Sequence, residues 1–449
     1  MRWRGCVSMF QWVASPRQTR RWPPNSRNAA SAAVAGGRRR RRRMAAGADG
    51  TTASSASTSM ASSRGGKPER WPFREIVSPQ NVKLKEIREL LRSTKASVAD
   101  ALLAAEACTR LRDRSHGDED SGRVAELERD PHSGAPFVIE GARLVLDALE
   151  CGWRPKFVLC DARSAGDLHR RHPRLFAHLC DPSISRRVQL CSTPMPSDTT
   201  SPQGIVGVFR RQPLPWCSDT SNVMLLLDGV QDPGNMGTIL RSGCAAGVQG
   251  VLLTPGCADA WSTKALRAGM GAHFRVPIVE DVPWNRVPQV LEMATTGMTR
   301  SDGNGALEEG RAAWTEWPFV MAVAHGRAEP DILHRTYTDC AAFADVARTE
   351  SRSEGGNGST GRPSGQRRLC LLVIGSEAHG PSEEAFALAR QVSGSCTIEI
   401  PMMCRTDSLN AAVAASVILF EAQRRRQQAL QERADHAVMG ASGSPPKRS

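Results

Sequence analysis

The feature that most constrains the fold is a series of short, almost uniformly apolar segments in the second half of the chain, separated by helical stretches. Five of these segments are strand candidates: Val223 to Leu227, Val251 to Leu253, Phe319 to Ala324, Leu369 to Ile374 and Thr397 to Ile400. Strands that are apolar on both faces are typical of parallel sheets with helices packed on each side. Residues 222–430 are therefore predicted to form an α/β unit with a parallel sheet.

A smaller α/β unit is predicted before it, over residues 71–211. Its predicted elements are a helix at Asn81 to Leu91, strands at Phe137 to Ile139 and Lys156 to Cys160, and a helix burying Leu144, Val145, Ala148 and Leu149. A proline-containing linker, Gln212 to Ser221, leads to the second unit. Residues 350–368, rich in Gly, Ser and Arg, are predicted to be a mobile surface insertion.

The last predicted helix runs from Ser408 to about Gln428, because its apolar residues keep the i, i+3, i+4, i+7 spacing. The residues predicted to face the core are Leu409, Ala412, Val413, Ser416, Val417 and Phe420. Residues 431–449 are predicted to be a disordered tail.

The positive charge of the chain is concentrated at its N-terminus. The formal net charge is +13, yet residues 1–48 contain no Asp or Glu and carry Arg2, Arg4, Arg17, Arg20, Arg21, Arg27 and Arg38 to Arg43. Such a segment is typical of a mitochondrial transit peptide, so residues 1–70 are predicted to be a transit peptide and disordered linker. The alternatives are a basic arm that binds nucleic acid or directs nuclear import, and a plastid leader, which the Ser/Thr/Ala-rich residues 51–63 resemble.

Other classes of protein are disfavoured by the sequence. No apolar run reaches the eighteen or so residues of a membrane span. The 13 cysteines show no C-x-x-C spacing, which fits reduced thiols rather than a zinc ribbon. His169, His172, His178 and Cys180 lie in an Arg-rich polar stretch and are interpreted as solvated surface, so no metal site is predicted.

Three polar motifs follow predicted strands, at the ends where open parallel sheets bind their ligands. The first is Asp228-Gly-Val-Gln-Asp-Pro-Gly-Asn-Met-Gly-Thr-Ile-Leu-Arg241, in which Asn235 is a candidate N-cap. The second is Ile374-Gly-Ser-Glu-Ala-His-Gly380, and the third runs from Ile398-Glu-Ile-Pro401 to Asp407-Ser-Leu-Asn410. Each one alone also fits an ordinary turn and a capped helix.

In this order the motifs resemble the three signatures of the SpoU family of RNA 2′-O-ribose methyltransferases in the SPOUT superfamily: N-x-G-x-x-x-R, G-x-E-x-x-G, and I-P ahead of S-L-N. The segment Asp259 to Pro277 looks particularly like mitochondrial large-subunit rRNA guanosine 2′-O-methyltransferases. Upstream, Glu140-Gly141 and Pro202-Gln203-Gly204 resemble that family's small substrate-binding domain, which is similar to a ribosomal protein (L30e-like).

The resemblance implies an α/β fold in which about residues 370–428 form a trefoil knot. It also implies that S-adenosyl-L-methionine is held by backbone near Gly375, Ile400 and Leu409. It implies a homodimer in which Arg241 of one subunit faces the cofactor of the other. The expected substrate is organellar large-subunit rRNA, and the expected location is the mitochondrion, with the plastid as the alternative.

The resemblance gives the site residues as Asn235, Arg241, Glu377, Ser408 and Asn410. Asn235 and Arg241 are suited to holding a ribose and its phosphate, since the Arg fork matches phosphate oxygens. An Arg pKa above about 12 makes a poor base, so Arg241 is expected to position and stabilise charge. Glu377, Ser408 and Asn410 are expected to orient the nucleophile and the motif loops.

One departure from the family pattern is Cys404-Arg405, where relatives usually carry glycine shortly before S-L-N. Two alternatives therefore accompany the rRNA methyltransferase hypothesis. One is a catalytically silent relative that holds RNA during ribosome assembly, and the other is a tRNA 2′-O-methyltransferase.

Overall fold

The computed structural model describes residues 71–92, 101–116, 134–217, 222–296, 319–339, 343, 369–403 and 408–441. The predicted leader at 1–70, the predicted insertion at 350–368 and the Cys404-Arg405 pair lie outside these residues. Among the helices that the structure describes, none combines the length and the apolar character needed to cross a membrane.

The first half of the described chain builds a five-stranded mixed sheet. Its elements in chain order are β1 (Arg74–Ile76), α1 (Val82–Arg92), α2 (Ala101–His116), β2 (Pro136–Glu140), α3 (Ala142–Glu150), β3 (Phe157–Asp161), α4 (Ala165–Arg171), α5 (Pro173–Leu179), α6 (Pro182–Ser185), β4 (Val188–Cys191) and β5 (Ile205–Arg210). The strand order is β1-β4-β3-β5-β2, with β5 antiparallel to both of its neighbours. Leu144, Val145, Ala148 and Leu149 of α3 are buried, as the apolar spacing predicted.

The second half builds a seven-stranded sheet. Its elements are β6 (Val223–Asp228), α7 (Pro233–Ala246), β7 (Val251–Leu253), α8 (Thr263–Gly269), β8 (Ile278–Val279), α9 (Val287–Thr296), β9 (Phe319–Ala324), β10 (Leu333–Thr336), β11 (Leu369–Gly375), α10 (Glu383–Gln391), β12 (Cys396–Glu399) and α11 (Ala411–Ala441). The order is β10-β12-β9-β11-β6-β7-β8, and every neighbouring pair is parallel. The predicted parallel sheet is confirmed.

Both faces of this sheet are covered, which explains why the sequence of β6 is uniformly apolar. Leu225 and Leu227 belong to one buried cluster, which continues into the first sheet. Met224 and Leu226 point the other way, into a second cluster beneath α9 and α10. Successive side chains of a strand face opposite sides, so a strand between two helical layers needs apolar residues at every position.

The two sheets belong to one compact unit. Aromatic side chains from both halves meet where the sheets join. Trp261 lies 4.7 Å from Phe137 and 5.6 Å from Trp153, measured between ring centroids, and the Trp153 indole donates a hydrogen bond to the Phe274 carbonyl. Aromatic pairs at such distances add to the free energy that apolar burial contributes.

A largely buried ion triad crosses the same junction. Arg211 follows β5, and its guanidinium donates to Glu280 at 2.6 Å and to Asp259 at 2.9 Å. A guanidinium between two carboxylates keeps each buried charge paired, and loss of one member would leave the others uncompensated. The triad therefore fixes the first sheet against the segment that precedes α8.

The final helix differs from the prediction in its limits and in its buried face. It begins at Ala411 and runs to Ala441, so part of the predicted disordered tail is helical. Side-chain pairs four residues apart, such as Gln428 with Glu432 and Gln431 with Asp435, support this extension. Val413 and Phe420, predicted to be buried, are 48% and 47% exposed. Leu409, also predicted to be buried, is 36% exposed, whereas Ala412 is buried as predicted. The rest of the packed face consists of Ala415, Ile418, Leu419 and Ala422.

Candidate active site

The three polar motifs meet at one edge of the seven-stranded sheet. Asp228 ends β6, Gly375 ends β11, and the two residues are paired side by side in the parallel register. Glu399 ends β12, which is parallel to β9 and so points to the same edge. Loops that follow these strands are therefore brought together by the topology, as in other open parallel sheets.

Asp228 anchors the loops at this edge. Its carboxylate is buried and accepts hydrogen bonds from the Ser382 backbone N–H at 2.7 Å, the Thr254 hydroxyl at 3.2 Å and the Trp284 indole N–H at 3.3 Å. The donors come from three separate segments, so one carboxylate joins the ends of β6, β7 and β11. Asp228 is not among the predicted site residues, although a carboxylate at the end of an entirely apolar strand is a signal for such a role.

The helix that carries the first motif begins with a different cap from the predicted one. Asp232, not Asn235, is the N-cap of α7: its Oδ1 accepts the backbone N–H of Asn235 at 2.8 Å, and Pro233 occupies the first helical position. Both residue types make good caps, and proline is enriched at the first position of a helix. Lys264 of α8 binds the other oxygen of Asp232 at 2.6 Å and, with the cap bond, lowers the pKa of that carboxyl.

The Asn235 side chain, free of the capping role, joins all three motifs. Its Nδ2 donates to Glu377 Oε1 at 2.7 Å, and its Oδ1 accepts from Asn410 Nδ2 at 3.0 Å. The Asn410 Oδ1 in turn accepts the backbone N–H groups of Ala412 and Val413, which caps α11. The chain Glu377–Asn235–Asn410 thus fixes the relative positions of the loops after β6, β11 and β12.

The second motif forms a tight backbone loop. Ser376 and Gly380 exchange backbone hydrogen bonds of 3.0 and 2.9 Å. A Cβ on Gly375 would lie 2.1 Å from the Gly380 carbonyl carbon and 2.1 Å from Pro381 N, so no side chain fits there. The end of β11 is therefore packed directly against the backbone of the loop that follows it, an approach that only glycine allows.

The other predicted site residues lie on the same elements but outside the hydrogen-bonded chain. Arg241 is exposed on α7, six residues and roughly 9 Å of helix beyond Asn235. It makes no hydrogen bond or ion pair with any residue that the structure describes. Ser408 is exposed, Ile400 is half-buried just after β12, and Leu409 is exposed before α11.

His325 is a further residue at this edge that the sequence analysis did not name. It follows β9, its backbone N–H donates to the Ile398 carbonyl at 2.9 Å, and its Nε2 lies 3.3 Å from Glu329 Oε1. Its ring packs against Phe386 with centroids 5.2 Å apart. A lone histidine after an apolar strand gives no local signal, so only the folded chain reveals its position beside the Gly380 loop.

Comparison with known proteins agrees with this arrangement. The model of the SpoU rRNA Methylase family matches residues 222–318. The mouse protein "rRNA methyltransferase 3, mitochondrial" is 35% identical over 301 residues, which are 64% of this chain and 67% of the relative. The human protein of the same name is 34% identical over 304 residues, again 64% and 67% of the two chains. The chain belongs to the SpoU rRNA methylase family.

Two further matches of this SpoU family member are a bacterial relative and a solved structure. The Bacillus subtilis "23S rRNA (guanosine(2553)-2'-O)-methyltransferase RlmP" is 42% identical over 145 residues, which are 32% of this chain and 53% of the relative. Among solved structures, the AdoMet-bound rRNA methyltransferase from Sinorhizobium meliloti aligns with 78% of this chain and 98% of its own, at 21% identity and a TM-score of 0.45.

Proposed function

We propose that the protein is an S-adenosyl-L-methionine-dependent 2′-O-ribose methyltransferase that modifies a guanosine of mitochondrial large-subunit rRNA. The hydrogen-bonded chain Glu377–Asn235–Asn410 carries this proposal, because it unites the three family motifs at one edge of the sheet. The names of the relatives support the substrate: the mammalian ones are mitochondrial rRNA methyltransferases, and the bacterial one is a guanosine 2′-O-methyltransferase.

The edge of the sheet suits the cofactor. S-adenosyl-L-methionine supplies an activated methyl group, so the protein's task is to orient the acceptor and exclude competing reactions. We assign its binding to the backbone at Gly375, Ile400 and Leu409. At Gly375 the missing side chain lets the loop that contains Gly380 and Pro381 fold back against β11, and this close packing sets the shape of the edge.

The RNA ribose is placed by Asn235 and Arg241. Asn235 is held on both sides by hydrogen bonds, so its position is set before the substrate arrives, and such preorganisation favours the reactive geometry. The Arg241 guanidinium is exposed and available for a bidentate contact with the phosphate beside the reacting nucleotide. It stabilises the negative charge that develops as the 2′-hydroxyl loses its proton.

Glu377, Asn410 and Ser408 complete the site. Glu377 accepts the Asn235 amide hydrogen and so keeps the amide oxygen turned toward Asn410. Asn410 couples that geometry to the first turn of α11. Ser408 lies two residues before Asn410 and is assigned to the orientation of the ribose hydroxyl.

The active form is a homodimer that uses the outer face of α11. Val413 and Phe420 lie on that face and are about half exposed in the single chain, with Leu409 also exposed nearby. Large apolar groups aligned on one helix face are typical of a protein interface. The same association brings the unpaired Arg241 to the site of the other subunit. Phe420→Glu is expected to yield monomers in size-exclusion chromatography with light scattering, whereas Gln80→Glu, at an exposed turn before α1, leaves the dimer intact.

The two sheets correspond to two functional units. We assign residues 71–211 to an RNA-binding domain like a ribosomal protein, and residues 222–430 to a methyltransferase domain with a trefoil knot in about residues 370–428. The strand order supports the knot, since β12 lies beyond β9 while β11 lies between β9 and β6. The mitochondrial location rests on the Arg-rich leader and on the names of the relatives.

The direct test is methyl transfer from radiolabelled S-adenosyl-L-methionine to transcripts of mitochondrial large-subunit rRNA and of mitochondrial tRNA. Label is expected on the rRNA with wild-type protein and not with Arg241→Ala. Label on tRNA alone would move the substrate to tRNA. Tight RNA binding without label on either transcript would identify a catalytically silent assembly factor.

A further inference from the structure

A cavity of about 320 Å³ lies outside the candidate active site, between the first sheet and α8. Its walls include Glu140, Leu144, Met195, Gln203, Arg267 and Met270. None of the residues assigned to catalysis or to the cofactor lines it. Its volume is at the lower end of the range for small-molecule sites, which is enough for one planar heterocycle.

The walls combine apolar side chains with a fixed polar group. Leu144, Met195 and Met270 offer apolar surface for the faces of a ring. Gln203 is exposed, and its Oε1 accepts the backbone N–H of Ala142 at 2.9 Å. This bond fixes the amide group, and the amide nitrogen makes no hydrogen bond with any residue described in the structure. It is therefore a positioned donor at the cavity.

The charged groups at the cavity are paired: Arg267 lies beside Glu140, and Arg143 lies 3.2 Å from Asp147. The Glu140 carboxylate accepts the Asp198 backbone N–H at 3.1 and 3.2 Å and lies 3.6 Å from the Arg267 guanidinium, so its charge is compensated. Asp198 also accepts the Thr263 hydroxyl at 2.6 Å. These contacts hold α8 against the cavity wall. Arg143, which is mostly exposed, adds a second guanidinium to the lining.

Met270 is held in a backbone conformation that is unfavourable for a residue with a side chain. Its φ is 47° and its ψ is 45°, in the left-handed region that glycine adopts without strain. Its side chain is nevertheless large, apolar and 45% exposed at the cavity. Strain of this kind concentrates at ligand-contacting positions, where the side chain serves binding rather than stability.

Helix α8 links the cavity to the ribose site proposed above. Lys264 of α8 binds Asp232, and Asp232 caps the helix that carries Asn235. Arg267 of the cavity is three residues further along α8, a rise of roughly 4.5 Å. A strand of RNA with one ribose at Asn235 can therefore place a neighbouring nucleotide at the cavity.

We propose that this cavity binds an unstacked base of the RNA substrate, from a nucleotide next to the one that is methylated. This inference rests on the proposed function and identifies residues at the first sheet that contact the RNA substrate. Sequence-dependent RNA recognition generally uses unstacked bases, whose faces pack on side chains and whose edges accept or donate hydrogen bonds. Gln203 supplies the edge contact, and Met195 and Met270 contact the faces.

Gln203→Glu tests the edge contact without disturbing the fold, because the carboxylate still accepts the Ala142 N–H while the amide donor is lost. Ser201→Trp tests the cavity itself, since Ser201 is an exposed lining residue and an indole there fills the space. Gln80→Glu and Gln80→Trp, at an exposed turn away from the cavity lining, control for the added charge and for the added indole. All variants are made in the full chain.

Four quantities are measured for each variant: Kd for the rRNA transcript, KM and kcat of methyl transfer, and Kd for S-adenosyl-L-methionine. Both test variants are expected to raise the RNA Kd and KM about tenfold, while the cofactor Kd and both controls stay within twofold of wild type. An RNA Kd within twofold of wild type for either test variant overturns the inference. If wild-type protein transfers no methyl group, the proposed function fails, and the RNA Kd comparison alone still decides the inference.

Transcripts with single abasic nucleotides around the methylated position identify the base. One abasic transcript is expected to bind wild-type protein more weakly than the intact transcript does, by about the factor by which Gln203→Glu raises the Kd of the intact transcript. The Gln203→Glu variant is expected to bind that abasic transcript and the intact one equally, because it has already lost the contact. Equal losses in the wild type and the variant at every position would show that Gln203 contacts no base.

Discussion

The hydrogen-bonded chain at the candidate active site makes Asn235→Asp an informative perturbation. The substitution keeps the size and shape of the side chain but replaces the amide nitrogen by an oxygen. That atom lies 2.7 Å from Glu377 Oε1, where the amide now donates a hydrogen bond. At neutral pH the change removes a donor to a carboxylate and sets two negative charges against each other.

The magnitude follows from two contributions. A hydrogen bond to a charged group is worth about 1.5–3 kcal/mol, and two like charges about 4 Å apart in water repel by about 1 kcal/mol. The site is exposed, so the water value applies. If this geometry is needed in the transition state, kcat/KM should fall about 10²- to 10³-fold. Asn235→Ala loses the bond without the repulsion and should be roughly fivefold more active than Asn235→Asp.

The assay is methyl transfer as a function of pH, with thermal unfolding and cofactor binding as controls. A neighbouring carboxylate raises the pKa of the introduced one, and its protonated form can donate as the amide does. The activity of Asn235→Asp relative to wild type should therefore rise as the pH falls toward about 5, whereas that of Asn235→Ala should not. The free energy of unfolding should fall by about 2–3 kcal/mol, because the favourable interaction of an acidic residue in the first turn of α7 with the helix dipole, about 0.3–1 kcal/mol, offsets only part of the lost hydrogen bond and the repulsion.

Near-wild-type activity of Asn235→Asp at neutral pH would refute the reasoning that the chain Glu377–Asn235–Asn410 sets the reactive geometry. Equal losses for the Asp and Ala variants at every pH would refute the electrostatic part alone.

Three further predictions follow from other residues. Arg241→Lys keeps the charge but loses the planar fork, so kcat/KM for RNA should fall at least tenfold. The cofactor Kd, measured by calorimetry, should stay the same. Near-normal turnover would exclude bidentate phosphate binding. Gly375→Ala places a Cβ 2.1 Å from the Gly380 backbone, so the loop after β11 must shift locally and cofactor binding should be lost. An unchanged Kd for S-adenosyl-L-methionine would remove Gly375 from the cofactor site. His273 is fully buried, and desolvation lowers its pKa from the ordinary 6.5 to about 4. Up to about 3 kcal/mol of the free energy of unfolding, present above pH 6.5, is therefore lost as the pH falls to 4. Urea titrations at several pH values should show this loss in wild type and not in His273→Gln.

The strands could be predicted because their physical cause is local. An apolar run flanked by helices has few ways to bury both faces, and β6, β9 and β11 are found within one residue of their predicted ends. The edge at which the polar motifs meet could be predicted for the same reason, since parallel strands end on the same side of a sheet.

The buried face of the final helix could not be predicted because both faces of that helix are apolar. Val413 and Phe420 have helical spacing, and so do Ala415, Ile418 and Ala422. The alanine-containing face packs against α7, where small side chains allow close approach and the hydroxyls of Ser242 and Ser416 lie 2.7 Å apart. A periodic pattern identifies a face but does not decide which of two apolar faces the rest of the chain covers.

The connections within the candidate site depend on long-range geometry. Asn235 contacts Glu377 across 142 positions and Asn410 across 175, so no local pattern reports these bonds. Asp232 and Asn235 were both suitable caps by residue type, and only the fold showed which of them was left to join the motifs.

The most direct test of the central claim is the chemical position of the transferred methyl group. Mitochondrial large-subunit rRNA incubated with the protein and labelled S-adenosyl-L-methionine is digested to nucleosides and to short fragments, and both are analysed by mass spectrometry. One 2′-O-methylguanosine is expected, at a phosphodiester that resists alkaline cleavage, and Asn235→Asp should form it at least about 100-fold more slowly. A methyl group on a base, or a ribose methyl formed at the wild-type rate by that variant, would contradict the central claim.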